Sequence, residues 1–266
     1  MTYSLYIIGF PSLYGGAGAE LYHQIKVWKQ MGVEMHLIPT QKNAHGAGLY
    51  PEMVKLGVAV HEGYDWEAIP AGAPVISFCN EEFLAALPKI RKRTGRTVFV
   101  NCMTWLFGRE KEAMRRGDIS LFLYQNSNVM GNVMPRLRAL NPDPAIRFMT
   151  FRPYFDAADF PFAAGRSTDW FGAGHISRQD EDKFSKDTWH IYEHFASPVR
   201  KKGTFLGFDR RSEAKTGRPP DWVETFHDQK SLSQQEFYRR CHIVLQPTDT
   251  TAVSYTHLRA HETGRN

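Results

Sequence analysis

Short apolar runs, rich in β-branched and aromatic residues, alternate with segments of helical period, and the pattern runs twice along the chain. Nothing else constrains the fold as tightly, because such alternation builds parallel strands joined by helical crossovers. Residues 3–10 read Tyr-Ser-Leu-Tyr-Ile-Ile-Gly-Phe and stop at Pro11, a buried strand. A glycine turn comes next, Gly15-Gly16-Ala17-Gly18. A helix is then predicted over 19–31, with Leu21, Ile25, Trp28 and Met31 at helical spacing and Gly32 as its stop. Residues 33–39 make a second strand. Further strands are predicted over 58–60, 73–79, 96–103 and 119–125, and helices over 52–56, 81–93 and 129–140, the last interrupted by Pro135. Residues 146–156 close this half, and 156–166, with Pro161, Gly165 and several alanines, read as a linker.

The pattern then restarts. Residues 170–176 form a strand, 184–195 a helix, and 202–208 a strand leading to a basic loop with Arg210, Arg211 and Lys215. A short strand over 222–226 precedes a helix over 231–240, opened by a Ser231/Gln234 capping pattern. Residues 242–246 are the last strand. The fold class is therefore α/β, with two Rossmann-like domains and a cleft between them.

The first glycine turn lacks the signs of two familiar phosphate loops. Gly16-x-Gly18 is followed by Leu21, and the second strand ends in Ile38-Pro39-Thr40 without an acid, so the dinucleotide fingerprint is incomplete. The Gly-Lys-Ser/Thr of a Walker loop is absent. A tight turn admitting a helix onto the sheet explains these glycines as well as ligand contact does. The second strand–turn stretch is more suggestive. Residues 170–184 read Trp-Phe-Gly-Ala-Gly-His-Ile-Ser-Arg-Gln-Asp-Glu-Asp-Lys-Phe. Glycine permits close backbone approach, and Arg178 and Lys183 add two cations, a combination suited to a diphosphate. Asp180-Glu181-Asp182 is formally an Asp-x-Asp that could hold a divalent cation; acids in a first helical turn also need no function. Polar residues just past parallel strands sit where α/β sites form, which nominates Asn101, Thr104, Gln125 and Asn126 as cleft residues, each also a common cap or turn former. The basic run Lys89, Arg91, Lys92, Arg93 and Arg96 complements a helix C-terminus; contact with anionic lipid is the sharper alternative.

The net charge of +5 points to an anionic partner, but the charge is spread along the chain, which argues against nucleic acid. No apolar run approaches the ~20 residues of a membrane span, and no signal peptide is evident. Three widely spaced cysteines, Cys79, Cys102 and Cys241, make neither a disulfide framework nor a zinc site, and fit a reducing cytoplasm.

Three motifs, taken in order, resemble the two-Rossmann-domain (GT-B) glycosyltransferases, in particular the retaining "group 1" or family 4 type. Gly15-Gly16-Ala17-Gly18-Ala19-Glu20 is similar to that family's opening. Phe171-Gly172-x-Gly174-His175-Ile176-Ser177-Arg178 with Lys183 resembles the start of its second domain, and residues 237–248 resemble its Tyr-x-x-small-hydrophobic-Pro-Ser/Thr strand. The resemblance implies transfer of a sugar from a nucleotide-sugar donor to a saccharide or other hydroxyl acceptor, without cofactor or metal. Arg178 and Lys183 would then stabilise the leaving diphosphate, with Gly15, Gly16, Gly18, Gly174 and Ser177 at the donor. Residues 1–160 would form the acceptor-side domain and 161–251 a partial donor domain. Peripheral membrane contact is a further expectation. The family's histidine after a mid-domain strand is not evident; Asn101-Cys102-Met103-Thr104 stands there. The other class of reading is a non-catalytic or degenerate nucleotide- or sugar-binding protein. Residues 253–263 resemble one reading frame of a transposase-type sequencing adapter, so 252–266 are expected to be non-native. Without Arg259, Arg265 and Glu262 the net charge falls from +5 to +4. The second domain is then expected to be truncated, lacking the family's acidic Glu-x-x-Gly segment, and the chain to be inactive.

Overall fold

The computed structural model describes residues 3–12, 16–44, 47–160, 168–228 and 230–249. Gly15, most of the expected linker and the adapter-like tail lie outside them. The chain divides into two compact units between Phe155 and Asp156, where the sequence placed the boundary at 160/161.

The first unit alternates strand and helix throughout: β1 (Ser4–Ile8), α1 (Gly16–Gln30), β2 (Glu34–Ile38), α2 (Tyr50–Lys55), β3 (Ala59–Val60), β4 (Val75–Phe78), α3 (Glu81–Ile90), β5 (Thr97–Asn101), α4 (Gly108–Arg116), β6 (Leu121–Tyr124), α5 (Ser127–Arg138) and β7 (Arg147–Thr150). Among the described residues its strands form a seven-stranded sheet of order β3-β2-β1-β4-β5-β6-β7, every pair parallel. All four residues of β4 are buried, as expected of a central strand covered on both faces. Asn80 caps α3 by accepting from the Phe83 amide at 2.8 Å, and Phe83, Leu84, Leu87 and Ile90 turn inward. They join Phe99, Met114, Phe122 and Leu137 in the main core.

Two details differ from the sequence reading. The hydrophobic pattern predicts nothing over residues 105–118, yet α4 forms there. Its buried face is Glu110, Ala113 and Met114, so a carboxylate occupies a position where an apolar residue would have signalled the helix. Gly117, at φ 68°, ends it. Pro135 does not interrupt α5, which continues to Arg138; buried Val133 and Leu137 hold the turn that lacks one amide.

The second unit contains β8 (Trp170–Ile176), α6 (Thr188–His194), β9 (Arg200–Leu206), α7 (Arg210–Thr216), β10 (Val223–Phe226), α8 (Gln234–Arg240) and β11 (Ile243–Val244). Its parallel sheet has the order β10-β9-β8-β11. The predicted basic loop at Arg210 is helix α7. Asp209 caps it, accepting from the Ser212 amide at 2.9 Å, a signal masked by the run of cations. The cap of α8 is Ser233, which accepts from the Glu236 amide at 3.2 Å. Ser231 instead donates to the Asp228 carbonyl in the preceding turn. No helix among the described residues is long and apolar enough to cross a membrane.

Candidate functional site

The Gly-x-Gly of β8 is first a packing device. Residues two apart on a strand share a face, and here that face meets α8. A Cβ on Gly172 would run into the Arg240 carbonyl, and one on Gly174 into the Cys241 thiol and the Phe237 ring. The opposite face carries His175, fully buried and stacked 4.2 Å from Phe184 and 5.4 Å from Phe205. Burial lowers its pKa to about 3, against a weaker pull from the Leu245 backbone, so it is a neutral core residue. The glycine of Gly174 is thus explained inside the unit, without a ligand.

The cationic site begins where β8 ends. Sheet two changes direction at β8, which has β9 on one side and β11 on the other, and ligands of open α/β sheets bind beyond strand ends at such points. Gly207, at φ 91°, lets the end of β9 approach the Ser177 carbonyl so closely that no Cβ would fit. Ser177 donates its hydroxyl to the Arg178 carbonyl at 2.9 Å. Arg178 is exposed and turns Nε and Nη2 toward Asp180, at 2.9 and 2.7 Å. Burial pushes the Asp180 carboxyl up, but the guanidinium, the Asp182 amide and the Lys183 charge outweigh it and hold the carboxyl below its usual value. Asp180 is therefore engaged by Arg178 and by a short 3-10 turn rather than presented outward. Lys183 is half-buried. Burial and then the Arg178 charge lower its pKa, opposed by Asp180 and Asp182. Among the described residues no hydrogen bond or ion pair engages its ammonium. Two neighbouring cations, one of them uncommitted, lie just past β8.

The segment carrying them is braced from the far end of the unit. Gln246 donates to the Ile176 carbonyl at 2.8 Å, Thr248 to the Asp182 carbonyl at 3.0 Å, and the Ser185 amide to the Pro247 carbonyl at 3.0 Å. Asp249 accepts from the Lys186 amide at 3.1 Å, and Lys215 of α7 reaches the Glu181 carbonyl at 3.1 Å. The Gln246-Pro247-Thr248 motif thus clamps the cationic segment.

In the first unit the direction changes at β1, between β2 and β4. Ser77 donates to the Ile8 carbonyl at 2.6 Å, Tyr50 to the Gly9 carbonyl at 3.1 Å, and Asn80 to the Thr40 hydroxyl at 3.0 Å. Gly16 and Gly18 lie in the first turn of α1. Gly18 rests on the Ser12 backbone, where a Cβ would stand 2.6 Å from the carbonyl oxygen, so close packing accounts for this glycine.

Two buried carboxylates, neither among the residues nominated from sequence, organise the rim beyond β5 and β6. Glu20 of α1 accepts from Gln125 Nε2 at 2.6 Å and from the Cys102 thiol at 3.6 Å. Glu110 of α4 accepts from Asn101 Nδ2 at 2.9 Å and the Phe107 amide at 3.2 Å on one oxygen, and from the Tyr124 hydroxyl at 3.1 Å on the other. Burial pushes its pKa up to about 7, with the hydrogen bonds of Asn101, Phe107 and Tyr124 and the Lys111 charge pulling the other way. Asn101 also donates to the Trp105 carbonyl and accepts from the Met103 amide. It is buried and fully engaged, so it shapes the 101–110 loop rather than facing a ligand. Asn126 caps α5 through the Val129 amide. Thr104 and Gln125 remain half-buried at the rim, and Trp105 is exposed. At the basic end of α3, Arg91 binds the Gly95 carbonyl and Arg93 pairs with Glu67. The sequence signal for Glu20 was its place in the opening glycine motif; Glu110 had none.

No protein-family model matches the chain, and no curated protein sequence does. Solved structures do match. A glycosyltransferase from Rickettsia africae ESF-5 superposes with a TM-score of 0.61 at 10% identity, over 93% of this chain and 73% of that one. Anabaena Alr3699/HepE, solved with UDP-glucose, gives 0.60 at 10% identity over 98% and 79%. The lipopolysaccharide outer core galactosyltransferase WaaB, in its apo form, gives 0.60 at 11% over 98% and 78%. The likeness is one of fold: two Rossmann-like α/β units of the GT-B type.

Proposed function

We propose that the protein transfers a sugar from a nucleoside-diphosphate sugar to an acceptor hydroxyl, in the assembly of a glycan or polysaccharide. The observation that carries this reading is the uncommitted, half-buried Lys183 beside Arg178, just past β8 at the turning point of the second sheet. Its support from outside is the fold shared with three glycosyltransferases, one of them holding UDP-glucose.

In this reaction the bond from the anomeric carbon to the diphosphate oxygen breaks, and negative charge builds on the leaving group. Lys183 stabilises that charge, and Arg178 offers the Nη1 side of a guanidinium already oriented by Asp180. The half-buried position excludes part of the water that would screen the interaction. With two cations meeting the diphosphate and Asp180 turned to Arg178, the transfer needs no divalent ion. The backbone around Ser177, beside the two cations, lines the donor phosphates. Thr104, Gln125 and Asn126 belong to the acceptor.

The test is calorimetric titration with UDP, GDP and ADP in turn, in EDTA. One of them binds. A charge-assisted contact is worth about 1.5–3 kcal/mol, so Lys183→Ala and Arg178→Ala each weaken that binding by roughly one to two orders of magnitude. Absence of binding by all three nucleotides, or binding indifferent to both substitutions, refutes the proposal. Turnover of a nucleotide-sugar would exclude the binding-protein reading.

A further inference from the structure

We propose that Cys79 and Cys102 are a redox pair, joined reversibly by a disulfide when the protein meets a peroxide. All three cysteines are thiols in this structure, none joined in a disulfide. Two of them sit at the ends of neighbouring parallel strands. β4 and β5 pair in register from Val75 with Thr97 to Phe78 with Val100. Cys79 is the next residue after β4, and Cys102 the first after β5. With strands about 4.8 Å apart and a rise of ~3.3 Å per residue, that offset puts the two α-carbons at roughly 6 Å, inside the disulfide range.

The local backbone aims the first thiol at the second residue. Cys79 has φ 46°, a left-handed conformation that L side chains seldom adopt outside turns. This bend ends β4 and swings the side chain across, so that the Cys79 sulfur accepts a hydrogen bond from the Cys102 amide at 2.8 Å. The two residues are thus in contact before any bond forms between their sulfurs. The other thiol is also placed. Cys102 donates to the buried Glu20 carboxylate at 3.6 Å.

Exposure divides the roles. Cys79 is partly exposed and Cys102 buried, so the peroxide reaches Cys79 first. The Cys79 thiolate attacks one peroxide oxygen; the O–O bond breaks, Cys79 becomes a sulfenic acid, and the other oxygen leaves as hydroxide, which takes up the proton the thiol had lost and becomes water. The Cys102 sulfur then attacks Cys79. The S–O bond breaks, hydroxide leaves, and the Cys102 thiol proton passes by way of Glu20 to make a second water. Two thiols have lost two electrons and the peroxide has gained them. A small-molecule thiol reverses the bond by exchange. Because a disulfide sulfur carries no proton, oxidation removes the Cys102–Glu20 hydrogen bond. It thereby loosens α1, which holds the first glycine turn, from the end of β5.

The experiment is to treat the folded protein with excess hydrogen peroxide, quench, denature, alkylate and map the peptides by mass. The expected result is one linked peptide pair containing Cys79 and Cys102, alkylation of Cys241 alone, and recovery of all three thiols after dithiothreitol. In Cys102→Ser, Cys79 stops at sulfenic acid and is captured by dimedone; in Cys79→Ser, Cys102 stays alkylatable. Three alkylatable thiols after peroxide, over-oxidation of Cys79 without a link, or a link through Cys241 each overturn the proposal. The wild-type peptide map decides even where a variant does not fold.

Discussion

Replacing Glu110 with glutamine should make the first unit more stable, but only above mildly acidic pH. The carboxyl is fully buried between α4, β5 and β6, and titrates near 7 in the folded chain against 4.5 for its ordinary value. Below 4.5 the carboxyl is protonated whether the chain is folded or not, and its titration contributes nothing to stability. Between 4.5 and about 7 the folded state keeps the proton that the unfolded state has lost, so stability falls as pH rises through that window. Above it both states are ionised, and the folded one carries the full desolvation penalty of ~3 kcal/mol. Glutamine cannot ionise. Its carbonyl can accept from Asn101 and the Phe107 amide as the carboxylate does, and its amide can donate to the Tyr124 oxygen once that hydroxyl turns. Glu110→Gln should therefore equal wild type within ~1 kcal/mol at about pH 4 and exceed it by roughly 2–3 kcal/mol at about pH 8. Native-state hydrogen exchange of the β5 and β6 amides reads this in the first unit alone, with each pH corrected for its intrinsic exchange rate. A gap that does not change with pH would mean that Glu110 titrates alike in the folded and unfolded chain, and the argument from burial would be wrong.

Other substitutions test the packing of the second unit. Gly174→Ala should cost about 1–3 kcal/mol or more, because the new methyl meets Cys241 and Phe237; a thermal melt unchanged from wild type would deny the close approach of α8 to β8. Gly172→Ala should be worse, since the obstacle is the Arg240 carbonyl, which cannot rotate away. Ser233→Ala should lose ~1 kcal/mol while Ser231→Ala loses less, and the reverse order in urea denaturation would return the cap of α8 to Ser231.

The alternation of strands and helices, the parallel sheets and most of their core were legible from hydrophobic period, because β1, β4 and β8 are buried runs that nothing else resembles. The elements that escaped share a cause. In α4 and α7 the helix is written in charged residues and caps, Glu110 in one and Asp209 in the other, and carries almost no apolar stripe. The cap of α8 shifted by two residues because Ser231 and Ser233 both offer a hydroxyl, and only tertiary context assigns them. At the candidate site, Arg178 and Lys183 were visible as charges beside a glycine turn. That Asp180 engages the first and leaves the second uncommitted depends on side-chain direction, which spacing does not encode. The buried role of Glu20 was hidden because its partner, Gln125, lies 105 positions along the chain, and that of Asn101 because its partner, Glu110, sits on the helix that the hydrophobic pattern does not show.

The clamp on the cationic segment has a kinetic meaning. Gln246 holds the Ile176 carbonyl from 70 positions away in sequence, and Thr248 holds Asp182 from 66. Contacts of such span form late, since the intervening chain must first be closed into a loop. β8, β9 and α6 can assemble from nearer neighbours, but the two cations take their final place only when β11 docks beside β8. During synthesis, then, the second unit fixes the placement of Arg178 and Lys183 in its last step of folding.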